Sequence, residues 1–286
     1  MRRLSFCLLA MLGLFDGPSI SVGQEQGSAA TIPALRTNIE FAKAGNVSLT
    51  LDAFVPEGPG PFPTCILVHG GGFTKGDKQT YIKPLFAPLS EAGFTWFTIN
   101  YRLAPEHRWP ACAEDVETAI RWVKSHAKEY KADGSRIALI GESAGGYLVS
   151  YVAARSGANL ALAAVVPFYA PHDLEFQVKS RNALGESMQA LLGLTELNDD
   201  AWKALRAASP STYVHSGMPP YLLIHGDKDA QVPFAQSPRF RDQMQAAGNT
   251  CELITITDGG HGMGGWDKLG SDYKQQLVVW LKKTLK

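Results

Sequence analysis

The stretch Gly141-Glu-Ser-Ala-Gly145 constrains the fold more than any other part of this 286-residue chain. It follows an apolar run typical of a β-strand, residues 136–140, and it precedes an apolar, small-residue segment typical of a helix, residues 147–155. A strand that turns sharply into a helix needs glycine on both sides of the turn, because a Cβ atom there would collide with the backbone. Such a turn lifts the Ser143 hydroxyl clear of the sheet edge, which predicts a nucleophilic serine. Because a serine hydroxyl is a weak nucleophile by itself, the hypothesis requires a histidine, a carboxylate and an oxyanion hole elsewhere in the chain.

Seven histidines compete for the role of the base. Only His261 lies late in the chain, in a glycine-rich loop beyond the last predicted strand, residues 251–257. His69 and His225 belong to loop motifs that follow strands, where a histidine can instead shape its loop by hydrogen bonding. We therefore predict that His261 is the base.

Three acids are candidates for the carboxylate that orients this base. Asp227 and Asp229 share the loop after the apolar run 221–225, and Asp258 lies only three residues before His261. That closeness suits Asp258 to shaping the histidine loop rather than to orienting the ring from the opposite side. We favour Asp229 over Asp227 because it lies further from the end of the strand. The order of serine, acid and histidine is then the one that α/β-hydrolase triads follow.

The stretch His69-Gly-Gly-Gly-Phe73 directly follows the apolar run 64–68 and predicts an oxyanion loop. Three consecutive glycines let the backbone approach a substrate carbonyl and turn free N–H groups towards it. A phosphate-binding loop is the alternative, since Gly71 and Gly76 have its spacing. Asp77 stands where that loop has its lysine, which disfavours this alternative.

Composition limits the classes of partner. Lys and Arg number 27, as do Asp and Glu, so the formal net charge is zero and nothing suggests nucleic acid as a partner. No cysteine or histidine spacing resembles a metal site, and no cofactor is implied. The three cysteines beyond residue 23 are scattered along the chain, which favours buried free thiols and leaves one disulfide open as an alternative.

The N-terminus has the pattern of a signal peptide over residues 1–23. Met1-Arg-Arg3 supplies the positive start, an apolar run extends from Leu4 to Phe15, and Ser21-Val-Gly23 resembles a cleavage site. The apolar run is too short to span a bilayer, and no later segment reaches about 18 uninterrupted apolar residues. Residues 24–34 are small and polar, which predicts a flexible leader. We therefore expect an exported protein without a membrane span; its oligomeric state stays open.

The remaining residues, 35–286, predict one α/β domain with a mostly parallel sheet and helices on both faces. Residues 38–55 alternate in polarity about Ala-Gly-Asn, which predicts an antiparallel hairpin at a sheet edge. From residue 64, continuous apolar strands alternate with helices, as in a buried parallel sheet. Residues 171–217 interrupt this alternation and predict a small cap near the pocket. The predicted helices, apart from the one after Ser143, are 81–92, 111–130, 187–194, 199–207, 234–247 and 272–285.

Two further groups of residues lie close to these motifs in sequence. Arg102 and Asp115 predict a structural ion pair that fixes the loop after strand 94–100. Phe73, Trp109 and Trp266 either line a flat apolar pocket or simply pack in the core; the sequence leaves both open.

Taken together, these motifs resemble the α/β-hydrolase superfamily, and more closely the bacterial esterases with a His-Gly-Gly-Gly loop. Two groups match: the hormone-sensitive-lipase-like esterases, and the exported acetylxylan and feruloyl esterases labelled BD-FAE. The matching stretches are His69–Phe73, Tyr101–Glu106, Trp109–Ala111 with Asp115, Gly141–Gly146, His225–Asp229 with Val232-Pro233, and His261-Gly262. The resemblance implies Ser143 as nucleophile, Asp229 as acid and His261 as base, with the backbone N–H groups of Gly71, Gly72 and Ala144 as the oxyanion hole.

The chain departs from the hormone-sensitive-lipase-like pattern in two ways. Asn100 stands where that group commonly has aspartate, and a hairpin replaces the N-terminal helical cap. Both departures favour the exported polysaccharide esterases.

The resemblance implies a secreted serine esterase that removes acetyl or feruloyl groups from xylan-type polysaccharide through an acyl-enzyme. A general short-chain carboxylesterase is the main alternative. An exported serine peptidase would share the elbow and the His-Gly-x-x-Asp loop, and we expect such a peptidase to carry a gating domain before residue 64. A non-catalytic binding protein on the same scaffold would be expected to have a broken triad.

Overall fold

A computed structural model describes residues 34–286; the predicted signal peptide and all but the last residue of the predicted leader lie outside this range. The strands in the described range are β1 (Leu35–Ala44), β2 (Val47–Phe54), β3 (Phe62–Val68), β4 (Thr95–Ile99), β5 (Ala132–Glu142), β6 (Ala164–Phe168), β7 (Tyr221–Gly226) and β8 (Cys251–Ile256). The helices there are α1 (Phe86–Glu91), α2 (Ala111–Ser125), α3 (Ala144–Leu160), α4 (Leu174–Arg181), α5 (Glu186–Leu192), α6 (Asp199–Ala208), α7 (Gln236–Ala246) and α8 (Tyr273–Thr284). Short 3₁₀ segments occupy Lys83–Leu85, Ala127–Tyr130, Pro210–Tyr213 and Met263–Leu269.

The strands form one eight-stranded sheet in the order β1-β2-β4-β3-β5-β6-β7-β8. β1 and β2 form the predicted antiparallel hairpin at one edge, and β2 also pairs antiparallel with β4. The other neighbouring strands pair in parallel. Since parallel strands place their carboxyl ends at one edge, the loops that follow β3, β5, β7 and β8 all lie at that edge.

The two faces of the sheet are covered by different helices. One face packs on α1 and α8 in a core that includes Leu67, Ile140 and Val166 from the strands and Leu277 from α8. The other face carries α2, α3 and α7, which contact β5, β3 and β7 respectively. Successive side chains of a strand point to opposite faces, so burial on both sides explains why the central strands are continuous apolar runs.

Several elements differ from the sequence expectation at their ends. The predicted helix 81–92 is a 3₁₀ turn followed by the six-residue α1; Pro84 and Pro88 supply no backbone N–H to a longer helix. The predicted helix 111–130 ends at Ser125 and continues as a 3₁₀ turn. β5 begins four residues early, at Ala132, because its pairing with β3 contains an irregularity before Ile137.

The segment between β6 and β7 contains three α-helices rather than the two predicted. α4 is the additional one, and the side chain of Asp173 caps it by accepting from the N–H of Phe176. This segment reaches the loops at the carboxyl edge: the carbonyl oxygen of Leu191 accepts from the N–H of Trp109 at 2.9 Å. The predicted interruption of the strand–helix alternation is therefore present, between the end of β6 and the start of β7.

Cys65, Cys112 and Cys251 are buried free thiols, as expected from their spacing. Within residues 34–286, no helix is both long enough and apolar enough to cross a membrane.

Candidate active site

The predicted nucleophile elbow is a turn between β5 and α3. Ser143 has φ 52° and ψ −116°, a conformation that residues other than glycine adopt only under constraint. Glycine makes the turn possible, because a Cβ atom on Gly141 would collide with the carbonyl oxygen of Gly145. A Cβ atom on Gly145 would collide with the carbonyl oxygens of Val68 and His69. The elbow therefore lies in backbone contact with the end of β3.

Three side chains from three loops meet at the carboxyl edge of the sheet. The Oγ atom of Ser143 lies 2.9 Å from Nε2 of His261, and Nδ1 of His261 lies 2.7 Å from Oδ2 of Asp229. An ionised carboxylate only accepts hydrogen bonds, so Nδ1 carries the proton and Nε2 accepts from the serine hydroxyl. The structure thus brings together the three residues that the sequence favoured, in an arrangement that can activate a hydroxyl.

Asp229 is held by hydrogen bonds on both of its carboxylate oxygens. Oδ1 accepts from the N–H groups of Gln231 at 2.7 Å and Val232 at 2.8 Å. Oδ2 faces two imidazoles, those of His261 and His225. Burial raises the pKa of Asp229, but the hydrogen bonds from His225 and His261 outweigh burial and hold this pKa below its usual range. The carboxylate is therefore ionised at neutral pH.

Asp227 and Asp258, the other two candidates for the acid, connect two loops. Oδ1 of Asp227 accepts from the N–H of Asp258 at 2.8 Å, which ties the loop after β7 to the loop after β8. Asp258 is exposed and has φ 57°. Within residues 34–286, neither carboxylate hydrogen-bonds to His261. Asp258 thus belongs to the turn before His261, which agrees with the expectation that it shapes the histidine loop.

The predicted oxyanion loop follows β3 and turns sharply. Gly71, Gly72 and Phe73 all have positive φ, 101°, 63° and 67°, which glycine adopts without steric cost. A Cβ atom on Gly71 would collide with the carbonyl oxygen of Lys75, and one on Gly72 would lie 2.8 Å from Oγ of Ser187. α5 therefore approaches the oxyanion loop directly through Ser187.

The N–H groups expected to form the oxyanion hole lack acceptors. Within the described range, no backbone or side-chain atom accepts from the N–H of Gly71 or Gly72. Ala144 is the first residue of α3, where a helix leaves its N–H groups without an internal partner. These donors are available to a ligand that carries negative charge on oxygen.

Glu142, the residue between Gly141 and the serine, is a buried acid that joins three loops. Its carboxylate accepts from the N–H of Gly70, and the nearby Tyr169 hydroxyl lowers its pKa. That hydroxyl also accepts from the N–H of Met263 at 3.3 Å, and the Tyr169 ring lies edge-on to the His261 ring at 4.8 Å. Burial raises the pKa of Glu142 to about 7 despite these hydrogen bonds. Sequence reasoning missed Glu142 and Tyr169, because only the folded sheet brings their loops together.

The remaining loop histidine near the site, His69, shapes the oxyanion loop. Its Nδ1 donates to the carbonyl oxygen of Gly70 at 2.7 Å, and its ring stacks on Tyr101 with centroids 4.3 Å apart. Burial lowers the pKa of His69 to about 4, so the ring is neutral. This is the loop-shaping role that the sequence suggested.

The three aromatic candidates separate into two groups. Phe73 is buried against Tyr147 at 5.2 Å, and the partly exposed Trp109 packs on the same ring at 5.7 Å. Trp266 is buried elsewhere, and its Nε1 donates to the carbonyl oxygen of Gly260 at 3.0 Å. Trp266 thus supports the loop of His261 from the core and does not share a pocket wall with the other two.

Arg102 and Asp115 form the predicted ion pair. Nη2 and Nε of Arg102 lie 2.7 Å and 2.9 Å from the two carboxylate oxygens, and the backbone N–H of Arg102 donates to the same group at 2.8 Å. The pair fastens the loop after β4 to the first turn of α2.

The BD-FAE family profile matches residues 51–244, more than half of the chain. A probable carboxylic ester hydrolase of Mycobacterium tuberculosis, LipM, is 33% identical over 199 residues, which cover 65% of this chain and 46% of LipM. An acetylxylan esterase of Xylanibacter ruminicola is 28% identical over 259 residues, covering 87% of this chain and 52% of that protein. The chain spans about half the length of these relatives.

Solved structures that are similar to this chain have the same fold. A truncated form of a carbohydrate esterase from gut microbiota has a TM-score of 0.78 and 27% identity, covering 90% of this chain and 98% of the other. An arylesterase has a TM-score of 0.74 at 21% identity, covering 88% of this chain and 85% of the other. The sheet and helices described above are those of the α/β-hydrolase fold.

Proposed function

The chain belongs to the BD-FAE family, and we propose that it is a serine esterase that hydrolyses carboxylic esters through an acyl-enzyme on Ser143. The observation that carries this proposal is the hydrogen-bonded series from Ser143 Oγ to His261 Nε2, 2.9 Å, and from His261 Nδ1 to Asp229 Oδ2, 2.7 Å. The relatives named carboxylic ester hydrolase and esterase support the same chemistry.

In the proposed reaction, His261 takes the proton of Ser143 as the serine oxygen attacks the ester carbonyl carbon. The resulting imidazolium is stabilised by the ionised Asp229. His261 then gives its proton to the leaving alcohol as the carbon–oxygen bond breaks, which leaves the acyl group on Ser143. Water, deprotonated by His261, attacks this acyl-enzyme, and the acid product leaves with the serine restored.

The oxyanion of each tetrahedral intermediate is proposed to bind the N–H groups of Gly71, Gly72 and Ala144. Two observations support this assignment: Gly71 and Gly72 donate to no acceptor in the described range, and Ala144 begins a helix, whose N-terminus favours negative charge. The hydrogen bond from Gly70 to Glu142 fixes the start of this loop beside the elbow.

The substrate that we propose is an acetyl or feruloyl ester of a xylan-type polysaccharide. A relative named acetylxylan esterase aligns over 87% of this chain, and a structure named carbohydrate esterase matches almost end to end. Trp109 is partly exposed and packs on Tyr147, as does Phe73 of the oxyanion loop, and we include it in the proposal as an aromatic surface for a sugar or a feruloyl ring. A general short-chain carboxylesterase is the second candidate, favoured by relatives named only as esterases or carboxylic ester hydrolases.

Hydrolysis of four substrates tests the proposal: p-nitrophenyl acetate, p-nitrophenyl octanoate, methyl ferulate and acetylated xylan. Each is assayed with the wild type and with Ser143→Ala, which should lose about a thousandfold or more in kcat. Release of acetate from xylan or of ferulate, lost in the variant, supports the polysaccharide substrate. Activity on p-nitrophenyl esters alone supports the second candidate. Full activity of Ser143→Ala would rule out the proposed nucleophile.

We also propose that the protein is exported. The support is the sequence pattern of residues 1–23, with its basic start, apolar run and small residues at positions 21 and 23. N-terminal sequencing of protein recovered outside the cytoplasm should begin near residue 24. Recovery of uncleaved chain from the cytoplasm would contradict export.

A further inference from the structure

His225 is a completely buried histidine on β7 that contacts the carboxylate of the site. Its Nε2 lies 3.3 Å from Oδ2 of Asp229 and 3.2 Å from the carbonyl oxygen of Val232. Its Nδ1 lies 2.8 Å from Oγ of Ser237 on α7. Both ring nitrogens therefore have partners, and one partner is the oxygen that also binds His261.

These partners fix the tautomer of the ring. Val232 O and Asp229 Oδ2 are acceptors only, so Nε2 must carry the proton. In a singly protonated ring Nδ1 accepts, and the Ser237 hydroxyl is the donor that faces it. The Nε2–H group thus lies in hydrogen-bond geometry with the carbonyl oxygen of Val232, and Oδ2 of Asp229 lies beside it at 3.3 Å.

We propose that His225 is a positioning residue of the esterase, whose Nε2–H group is shared between Val232 O and Asp229 Oδ2 and fixes that carboxylate in the orientation that His261 requires. This inference rests on the proposed function, because it gives Asp229 the role of the acid. The backbone N–H groups of Gln231 and Val232 hold one oxygen, and His225 shares the other with His261. With three hydrogen bonds and the Nε2–H group of His225 around it, the carboxylate cannot rotate without losing one of these contacts.

A purely structural role for His225 would depend on Val232 and Ser237, because these two contacts tie β7 to the following loop and to α7. The positioning role and the purely structural role predict different activities when the Nε2 donor is removed by one substitution and replaced by an equivalent donor in another. His225→Phe keeps a ring of similar volume but removes both nitrogens. His225→Gln places an amide N–H near the Nε2 position and can donate to the same oxygen. Ser237→Ala leaves His225 in place and removes only the donor that holds its tautomer.

His172 offers a matched control for the replacement of a buried histidine by phenylalanine. Its ring is also buried and stacks on Phe240 with centroids 4.0 Å apart, and neither of its nitrogens has a hydrogen-bond partner among residues 34–286. His172→Phe therefore changes a buried imidazole to a benzene ring without removing a hydrogen bond. It should leave kcat unchanged.

The experiment measures kcat and KM on p-nitrophenyl acetate, the melting temperature, and the low-field proton NMR resonance of the His261 Nδ1–H. We expect His225→Phe to lose about tenfold to a hundredfold in kcat with KM little changed, because a misplaced catalytic group slows the chemical step. We expect Ser237→Ala to lose a few-fold and His225→Gln to recover most of the activity. The resonance should move to lower field in His225→Phe, since the carboxylate oxygen no longer shares a second donor, and stay unmoved in His172→Phe.

A His225→Phe enzyme that keeps wild-type kcat and an unmoved resonance would overturn the proposal. So would equal losses of kcat and melting temperature in His225→Phe and His172→Phe. If His225→Phe does not fold, Ser237→Ala becomes the test of the proposal. An unchanged kcat together with an unmoved resonance in Ser237→Ala would contradict it. If the wild type hydrolyses no ester at all, the proposed function fails by itself; the resonance in Ser237→Ala then still tests whether His225 orients Asp229.

Discussion

The nucleophile elbow, residues 141–146, and the histidine loop, residues 258–265, are both rich in glycine, but glycine serves a different purpose in each. In the elbow, a Cβ atom on Gly141 or Gly145 would collide with backbone carbonyl oxygens. A Cβ atom on Gly146 would lie 2.8 Å from the carbonyl oxygen of Phe168. Backbone atoms cannot move aside as a flexible side chain can. The elbow is therefore positioned by close packing of main chain against main chain.

In the histidine loop, most glycines have open space around them. A Cβ atom on Gly260, Gly262, Gly264 or Gly265 would meet nothing within 4 Å. Hydrogen bonds hold this loop: at its start Asp258 donates to Asp227 and Gly259 accepts from Lys228. Further along, His261 binds Asp229, Met263 donates to Tyr169, and Trp266 donates to Gly260. The nucleophile is thus fixed by steric exclusion and the base by specific side-chain contacts. Substitutions in the two regions should therefore differ in their effects on stability and activity.

The largest effect should come from Gly145→Ala. The new methyl group would collide with the carbonyl oxygens of Val68 and His69, so either the elbow or the end of β3 must shift. Overpacking of this kind costs about 1–3 kcal/mol or more in the free energy of unfolding, and here it also displaces Ser143. We expect a large fall in soluble yield and melting temperature, and loss of esterase activity in any protein that folds.

Gly265→Ala is the matched control from the histidine loop. The added methyl group has free space and the residue has no positive φ. Replacement of glycine at such a position leaves stability unchanged or raises it by up to about 1 kcal/mol. Equal damage from both substitutions would contradict the distinction between the two regions.

Asp229→Asn should affect catalysis more than the fold. Asparagine keeps the shape but cannot stabilise the imidazolium, so kcat should fall by about a thousandfold to ten-thousandfold at neutral pH. The pKa of Asp229 is held below its usual range, so the carboxylate contributes stability above about pH 4 that is lost as the pH falls further. Thermal melting between about pH 3 and pH 7 should therefore show a weaker acid destabilisation in the variant. A variant that retains wild-type kcat would exclude Asp229 as the acid.

Glu142→Gln tests the link between the elbow and the histidine loop. Burial raises the pKa of Glu142 from 4.5 to about 7, so the folded chain retains a proton that the unfolded chain has lost between these values. The contribution of this group to stability is fully present below about pH 4.5 and is lost as the pH rises through 7. Glutamine still accepts from Gly70 but does not titrate. The melting temperature of the variant minus that of the wild type should therefore increase between about pH 5 and about pH 8. A difference that stays constant with pH would contradict the burial of a carboxyl group that holds its proton.

The smallest effect should come from Trp266→Phe, which removes the indole N–H that donates to Gly260. Because only a few hydrogen bonds hold the histidine loop, kcat should fall by about threefold to tenfold. Trp280→Phe is the control, since it removes a comparable indole hydrogen bond, to Glu252 at the start of β8, away from the catalytic edge. An equal fall in kcat for both variants would show that the loss is general destabilisation.

The parts of the site that sequence could predict are those specified by local steric needs. Gly141 and Gly145 are required wherever a strand turns this tightly into a helix, and the glycines after His69 are required wherever the backbone must adopt positive φ. Gly145 is also required by the distant carbonyl oxygens of Val68 and His69. Gly141 and the glycines after His69 are recognisable in the sequence because their causes lie within a few residues. The same is true of the hairpin at residues 35–54, which alternates in polarity around a glycine turn.

Other features depend on neighbours that are distant in sequence. Position in the loop favoured Asp229 over Asp227, but the contacts that hold its carboxylate could not be predicted. Oδ1 of Asp229 accepts from two backbone N–H groups, and Oδ2 lies 2.7 Å from Nδ1 of His261. Glu142 and Tyr169 acquire their positions only when the ends of β3, β5 and β6 lie side by side. Trp266 was equally compatible with a pocket and with the core, since both environments favour an aromatic side chain. The helix α4 has few buried residues and a weak apolar pattern, so it was missed.

The most direct test of the central claim is covalent labelling with a fluorophosphonate, followed by intact-mass measurement and peptide mapping. An activated serine attacks the phosphorus atom with loss of fluoride, whereas an ordinary surface serine does not react. The account predicts a single adduct on the peptide that contains Ser143, and its absence from folded His261→Ala protein. A folded wild type that takes up no label, or one labelled on another serine, would contradict it.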